Sequence, residues 1–165
     1  MAKARALDRR RKSIRNIRKI TRTMELIATA RFRKAMDRAS AATAYTNQIV
    51  KRVRDLMNAG VSVEHPLLER REPRKTTMLV LAGNRGFCGG FNSNVARAGV
   101  AHGRELLDQV EELRVHVSGK RGVMGLKQGR ILPDQVFTHF EDRPRYDEVE
   151  VIANGFLEEY AAGML

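Results

Sequence analysis

The sequence predicts an α/β protein, with a long N-terminal coiled-coil helix followed by an incomplete Rossmann-like domain built on a parallel sheet. The first observation is that Ala2 to Ala59 contains no glycine and no proline, so nothing interrupts a helix there. The second is that short apolar runs then alternate with helical patterns, which is the order of a parallel sheet. We therefore divide the chain into a helix at 1–59, a charged connector at 60–75 and a partial α/β domain at 76–165.

The long helix carries one line of small or apolar residues. Their spacings are mostly three, four or seven residues, which places them on a single face. Such a helix is roughly 80 Å long, whereas globular helices average about 11–12 residues, so it needs a long partner. Because much of the line is Ala and Thr, it favours close packing against a second helix. We call this line the apolar stripe; it comprises Ile14, Ile17, Thr21, Met24, Ala28, Ala35, Ala39, Ala42, Ile49, Val53 and Leu56.

Positive charge is concentrated in the same helix. Residues 1–55 hold 17 of the 31 Lys and Arg residues and four of the 19 Asp and Glu residues, a balance of +13. Such a helix could bind a nucleic-acid backbone, lie on anionic lipid, or face an acidic protein surface. The helix offers few large apolar residues for lipid, and the chain has 5% aromatic residues and no Trp for base stacking. Charge alone leaves these functions open, together with a simple solvated face.

Cysteine content and hydropathy exclude several other classes. The single cysteine, Cys88, rules out an internal disulfide framework and a Cys-rich zinc site, and it fits a reducing compartment. No apolar run approaches the ~20 residues that span a bilayer, and the N-terminus lacks a secretory pattern. An Arg-rich transit peptide is disfavoured, because Ser13 is the one serine before Ser40 and the apolar stripe continues without a break.

Six shorter elements are predicted downstream. Gly60 is expected to end the long helix. The run Met78 to Ala82 is continuously apolar, as in a strand buried on both faces, and Asn92 or Ser93 is expected to cap the next helix. The expected strands are 78–82, 113–118 and 135–140, and the expected helices are 92–110, a short one opened by Gly119, and 147–162.

A glycine-rich loop, GNRGFCGG at Gly83 to Gly90, joins the first predicted strand to the next helix. Loops in this position often cradle phosphate. Here the GK[ST] ending of a Walker loop is absent, and the glycine spacing does not match G-x-G-x-x-G. We therefore interpret these glycines as permitting a tight turn and close strand–helix packing.

The sequence predicts no catalytic residue, no metal and no cofactor. Cys88 lies near a helix N-terminus, but no base can be assigned to it, and we expect it to be a buried packing residue. No paired carboxylates stand out. A nucleotide-binding enzyme is therefore the weakest hypothesis. The four histidines lack the spacing of metal ligands; they are His65, His102, His116 and His139.

Two long motifs and a connector resemble one family. The helix text RKITRTMELIATARFRKA, at Arg18 to Ala35, closely resembles the N-terminal helix of the γ subunit of the F-type ATP synthase. LVLAGNRGFCGGFNSNV, at Leu79 to Val95, resembles that family's first strand and glycine-rich loop, and HPLLERR, at His65 to Arg71, resembles its connector. The likeness begins within the first ten residues and continues to the end of the chain, more weakly after Ser118.

The resemblance implies a non-catalytic central-stalk rotor. In that family the N-terminal helix winds against a C-terminal helix as an antiparallel coiled coil inside the α3β3 hexamer. The α/β domain lies below, near the ε subunit and the membrane c-ring. Rotation couples ion flow through the ring to ATP synthesis or hydrolysis at the β subunits. It also implies no nucleic-acid partner, and a peripheral location on the cytoplasmic face of a bacterial plasma membrane.

The resemblance also suggests which residues meet partners. A first set would face the lower collar of the hexamer, a second set would lie further along the shaft, and a third would shape the first loop of the domain. These are Lys19, Ile20, Thr21, Met24 and Glu25; then Arg31, Arg33 and Lys34; and Gly86, Cys88, Gly89, Gly90 and Asn92.

This chain departs from the family pattern in two ways. Gly83-Asn84 stands where a Ser/Thr-Asp pair is usual, and Phe87 replaces a usual Leu. The family's later strands and C-terminal helix have no counterpart in these 165 residues. The resemblance therefore implies either a C-terminally truncated fragment or a chain that another polypeptide completes, and we expect the chain alone to expose the apolar stripe and to self-associate or fray. Without that resemblance, a nucleic-acid-binding protein that uses the basic helix is the alternative.

Overall fold

The computed structural model describes residues 2–60, 65–69, 71–140 and 144–165, in a chain that divides into two units, Met1–Val63 and Glu64–Leu165. The first unit holds the long helix α1. The second holds a short 3-10 helix and an α/β arrangement. In chain order the elements are α1 (Ala2–Asn58), the 3-10 helix Pro66–Leu68, β1 (Lys75–Leu81), α2 (Phe91–Leu107), β2 (Glu112–Ser118), α3 (Lys120–Gln128), β3 (Gln135–Phe137) and α4 (Tyr146–Ala161).

The uninterrupted N-terminal helix is confirmed. α1 runs for 57 residues, which at 1.5 Å per residue is about 85 Å. It ends where the sequence predicts, because Gly60 adopts a left-handed φ of 74° and donates its N–H to the Met57 carbonyl at 3.3 Å. A residue with a Cβ is disfavoured in that conformation, so glycine terminates the helix cleanly.

The predicted parallel sheet is also confirmed, with its strands in the order β1–β2–β3. β1 pairs with β2 along seven residues, whereas β3 pairs along only three. β3 therefore ends at Phe137 rather than at the predicted Phe140. The chain leaves the sheet here, and the Phe140 carbonyl instead accepts a hydrogen bond from the Asn84 side chain at 2.9 Å.

The core lies between one face of the sheet and the helices α2 and α3. Val117 on β2 and Leu126 on α3 are completely buried. Val100 on α2 packs against the same cluster. Helices of two successive right-handed crossovers are expected on one face, because the strand order runs in one direction. The buried members of this core are Met78, Val80, Val115, Val117, Leu126 and Ile131.

β1 is buried on one face only, so the prediction of burial on both faces was wrong. Met78 and Val80 point into the core, while Leu79 and Leu81 are 41% and 63% exposed. α4 lies on the second face of the sheet at β2, where its Phe156 ring is 5.5 Å from the His116 ring. On the same face of β1, Thr77 is half-buried, whereas Leu79 and Leu81 are exposed to solvent.

Two glycines permit close approaches that position α3. A Cβ on Gly125 would lie 2.3 Å from the Cβ of Ala96, so α3 and α2 can touch only because that position has no side chain. Gly119 has a φ of 95°, and a Cβ there would lie 2.1 Å from the Ala82 carbonyl oxygen. α3 thus begins directly against the end of β1.

Candidate partner-binding site

The described side chains of α1 are almost all exposed to solvent. Every side chain described from residue 4 to residue 58 is exposed, except that of Asp8, which is half-buried. Large apolar residues belong to this exposed set; those of the apolar stripe are 43–59% exposed. Exposed apolar surface on this scale marks a binding interface, because monomers rarely leave it uncovered. The large apolar members are Ile14, Ile17, Met24, Ile49, Val53 and Leu56.

Threonines on α1 have their hydroxyls satisfied within the helix. Thr21 donates to the Ile17 carbonyl at 2.9 Å, and Thr43 donates to the Ala39 carbonyl at 2.7 Å. A hydroxyl that is bonded to the carbonyl four residues earlier already has an acceptor within the helix. Thr21 can therefore be buried by a partner without stranding a polar group, which makes it compatible with the apolar stripe.

One row of basic residues lies opposite the apolar stripe in the N-terminal half of α1. Lys12, Arg15, Lys19 and Arg22 follow one another at spacings of three or four residues and line a shared groove. Only a few acidic side chains are close enough to form ion pairs among the described residues of this part of α1. Asp8 pairs with Arg11 at 2.8 Å and with Lys12 at 3.5 Å, and Glu25 pairs with Arg22 at 2.7 Å. These pairs are exposed and individually worth little, so the groove keeps a strong positive field.

The eight predicted contact residues of α1 are all exposed, but they do not share one face. At about 100° per residue, Ile20, Met24 and Arg31 lie within about 40° of each other. Lys19 and Arg33 lie roughly on the opposite side from Met24, and the remaining three, Thr21, Glu25 and Lys34, fall between. A flat partner could not touch all eight at once. A collar that surrounds the helix could.

The glycine-rich loop is held by two asparagine side chains. The Asn92 carboxamide accepts the Gly83 N–H at 2.8 Å and donates to the Arg85 carbonyl at 3.1 Å and to the Cys88 sulfur at 2.8 Å. The Asn84 carboxamide accepts the Lys120 N–H at 2.9 Å. Gly89 adopts a φ of 57°, and Gly86 lies under the guanidinium of Arg121. The predicted loop residues are thus brought together around Asn92, which supports a structural role for the loop.

Three predictions for this region were wrong. Gly90, not Asn92 or Ser93, occupies the cap position of α2, because the Asn92 side chain is used across the loop. α2 ends at Leu107 rather than at residue 110, since the chain turns there into the approach to β2. Cys88 is exposed rather than buried, because it lies in the loop between β1 and α2, outside the buried core.

Sequence reasoning missed the residues that fasten α4 and the connector. Arg71 donates to the Tyr160 carbonyl at 2.5 Å and lies over the Tyr160 ring, 5.5 Å from its centre. The Tyr160 hydroxyl donates to the Glu69 carbonyl at 3.0 Å. Sequence reasoning also assigned no structural role to Asn84, which departs from the family pattern and bonds Lys120 and Phe140. No local signal could reveal contacts that join residues about 90 positions apart in the sequence.

Within the described ranges, no group of His, Cys, Asp and Glu side chains is arranged to hold a metal ion. In the same residues, no helix combines the length and the apolar character that crossing a bilayer requires. The first N–H groups of α3 are also occupied, because Lys120 donates to Asn84 and Arg121 donates to the Gly83 carbonyl at 3.1 Å. That helix end therefore offers few free donors to a phosphate.

Comparison with known proteins gives a consistent family. A family model described as ATP synthase matches residues 3–165. The ATP synthase gamma chain of Rhodopirellula baltica is 60% identical over 166 residues, covering all of this chain and 56% of the relative. Those of Leptospira biflexa and Saccharopolyspora erythraea are 34% and 35% identical, over 98% and 99% of this chain and 56% and 53% of the relatives. The chain spans about half the length of these relatives, and it belongs to the ATP synthase gamma-chain family.

Proposed function

We propose that this chain is a non-catalytic part of the central rotor of an ATP synthase, with α1 as one helix of the shaft. The observation that carries the proposal is an exposed helix of 57 residues with an apolar stripe that nothing described covers. Membership of the gamma-chain family supplies the context. The apolar stripe would pack on a second helix, and the rest of α1 would face the α3β3 hexamer, with Thr21 and Met24 of the stripe in contact with both.

The arrangement of charge and contact residues supports a socket around α1 rather than a flat surface. The predicted contact residues encircle the helix, as a shaft inside a collar requires. In this proposal Lys19, Ile20, Thr21, Met24 and Glu25 meet the lower collar, and Arg31, Arg33 and Lys34 lie further along. The basic groove suits acidic protein surfaces, because complementary charge steers association and fixes register.

The α/β unit would provide the lower end of the rotor, near the ε subunit and the membrane c-ring. Its loop residues Gly86, Cys88, Gly89, Gly90 and Asn92 would then shape the domain without taking part in chemistry. The complex would place the chain at the cytoplasmic face of a bacterial plasma membrane. Torque delivered through the ring would reach the β subunits as a sequence of different contacts, each favouring a different nucleotide affinity.

Two neighbouring substitutions test the shaft proposal. Ala39→Glu places a carboxylate in the apolar stripe, while Ser40→Glu adds the same charge about 100° away around the helix. Burying an unpaired carboxylate is costly, so we expect Ala39→Glu to weaken assembly about tenfold or more and Ser40→Glu to change it little. The assay is co-elution with purified α and β subunits and a peptide of the C-terminal segment of the R. baltica gamma chain.

Circular dichroism shows whether both variants keep the helicity of α1, so a folding defect cannot imitate the expected result. Equal assembly of the two variants would contradict the role of the apolar stripe. The nucleic-acid alternative has its own readout. Binding of duplex DNA by the wild-type chain that falls steeply with salt, with no association with α and β subunits, would favour that alternative.

A further inference from the structure

α4 is held on the sheet by few side chains. None of its residues is buried, whereas α2 and α3 contribute buried residues to the core on the other face. Its inner contacts are the Phe156 ring, 5.5 Å from the His116 ring, and Glu159, whose carboxylate lies 3.4 Å from the Arg114 guanidinium. A helix held so lightly is a candidate for local release at low free-energy cost.

His116 is the buried polar residue beneath this helix. It is 7% exposed, and its Nδ1 is buried without a hydrogen-bond partner among the described residues. The Phe137 ring stands edge-on to it at 6.1 Å. A neutral imidazole fits such an apolar enclosure, whereas a doubly protonated one would place a charge there and leave its Nδ1–H without an acceptor among the described residues.

The charged groups around His116 are already engaged elsewhere. Glu159 of α4 pairs with Arg114, and Asp134, which precedes β3, accepts the Val115 N–H at 2.6 Å. Arg114 on β2 adds a positive charge beside the imidazole. On this face β1 also carries Lys75, which pairs with Glu112 at 3.5 Å. The other neighbours on this face from β1 and β3 are uncharged: Thr77, Leu79 and Leu81, and Gln135 and Phe137. Burial lowers the pKa of His116, Arg114 lowers it further, and the attraction of Glu159 and Asp134 only partly offsets these effects.

We propose that His116 makes the docking of α4 pH-sensitive, so that protonation of its imidazole releases α4 from the sheet. The release reaches the connector, because Tyr160 at the end of α4 binds Glu69 through its hydroxyl and Arg71 through its carbonyl. A free α4 would therefore also free residues 65–69 and Arg71 from their contacts.

The difference between the pKa values of His116 in the docked and released states decides how docking of α4 depends on pH. Because the pKa of His116 in the docked state lies below the unfolded value of about 6.5, the stabilisation is fully present above that pH. It is lost as the pH falls from about 6.5 through the docked-state pKa. Each unit of difference between the two pKa values corresponds to a tenfold change in the docking equilibrium below both of them.

Hydrogen exchange of the whole chain at pH 7.5 and pH 5.5, corrected for intrinsic rates, tests the proposal. We expect amides of α4 and of residues 65–69 to exchange faster at the lower pH, by up to tenfold per unit of pKa difference, while α2 and β1 keep their protection. His116→Leu should remove this pH response. His102→Leu, which removes an exposed histidine of α2, should retain it.

Three results would overturn the proposal: α4 protection that does not change with pH, a response that persists in His116→Leu, or equal loss of protection in α2 and α4. If His116→Leu fails to fold, an NMR titration of the wild-type chain decides instead. The His116 ring and the Phe156 ring should then titrate with one shared midpoint, below the ordinary histidine value of about 6.5, and different midpoints would contradict the coupling.

Discussion

The two units of this chain differ in how much of their apolar surface they bury within themselves. The α/β unit buries Val117 and Leu126 completely within its own core. α1 buries none of its described side chains, although it carries as many large apolar residues as a core would. Most helix stability in proteins comes from packing rather than from propensity, so the two regions depend on different molecules. The α/β unit is stabilised by contacts within its own chain, whereas α1 depends on a partner to bury its apolar side chains.

The largest expected effect comes from the core of the α/β unit. Leu126→Ala removes a fully buried side chain, so we expect the unit to lose about 2–5 kcal/mol of unfolding free energy. Leu132→Ala, at a site that is 75% exposed, should change it by less than about 0.5 kcal/mol. Urea titration read by protease resistance of the α/β unit measures both. Similar losses in the two variants would mean that the core lies elsewhere.

Truncating an apolar side chain to alanine on α1 is expected to have the opposite outcome. Met24→Ala removes a side chain that is 52% exposed, so the chain alone should change in stability by less than about 0.5 kcal/mol. Its association with the R. baltica C-terminal segment should weaken by tenfold or more, since the lost contact belongs to the interface. A large loss in the chain alone, seen by circular dichroism, would show that Met24 already has a partner within it.

A smaller effect is expected in the glycine-rich loop. Asn92→Ala leaves the Gly83 N–H and the Arg85 carbonyl without their partner, which should cost about 1–3 kcal/mol. Asn94→Ala, two residues along the same helix and exposed, is the matched control. Hydrogen exchange of the loop amides reports the change. If the loop amides are equally protected in the two variants, the Asn92 side chain does not stabilise the loop.

The smallest effect concerns the fastening of the connector. Tyr160→Phe removes one hydrogen bond, from its hydroxyl to the Glu69 carbonyl, and should cost about 0.5–1.5 kcal/mol. Tyr146→Phe, at a site that is 80% exposed, should cost nothing measurable. Protease cleavage near residue 70 measures how often the connector opens. Faster cleavage in Tyr146→Phe than in Tyr160→Phe would contradict this assignment.

Elements that depend on local patterns were predictable from the sequence. The absence of glycine before Gly60 predicted the length of α1, and the alternation of strands and helices predicted a parallel sheet. What failed depends on tertiary contacts. Leu79 is exposed because α4 packs over β2 rather than β1, and Asn92 does not cap α2 because it bonds across the loop. Cys88 is exposed because its loop lies outside the buried core.

The candidate site was predicted only in part, for a similar reason. Periodicity identified the apolar stripe, since spacing along one helix decides which side chains share a face. The partner-contact residues followed from family resemblance and stay a prediction. The contacts among Arg71, Tyr160 and Glu69, and the enclosure of His116 by Phe156, join residues far apart in the chain. The spacing of residues along one helix or strand cannot predict such long-range contacts.

The central claim is that α1 is one half of a helix pair that meets its partner through the apolar stripe. Met24 and Met36 offer a matched measurement, because they are 52% and 48% exposed and lie about 120° apart around α1. Radical oxidation of both is compared with and without the R. baltica C-terminal segment. The account predicts that Met24 becomes protected while Met36 stays reactive. Protection of Met36 with Met24 still reactive would contradict it.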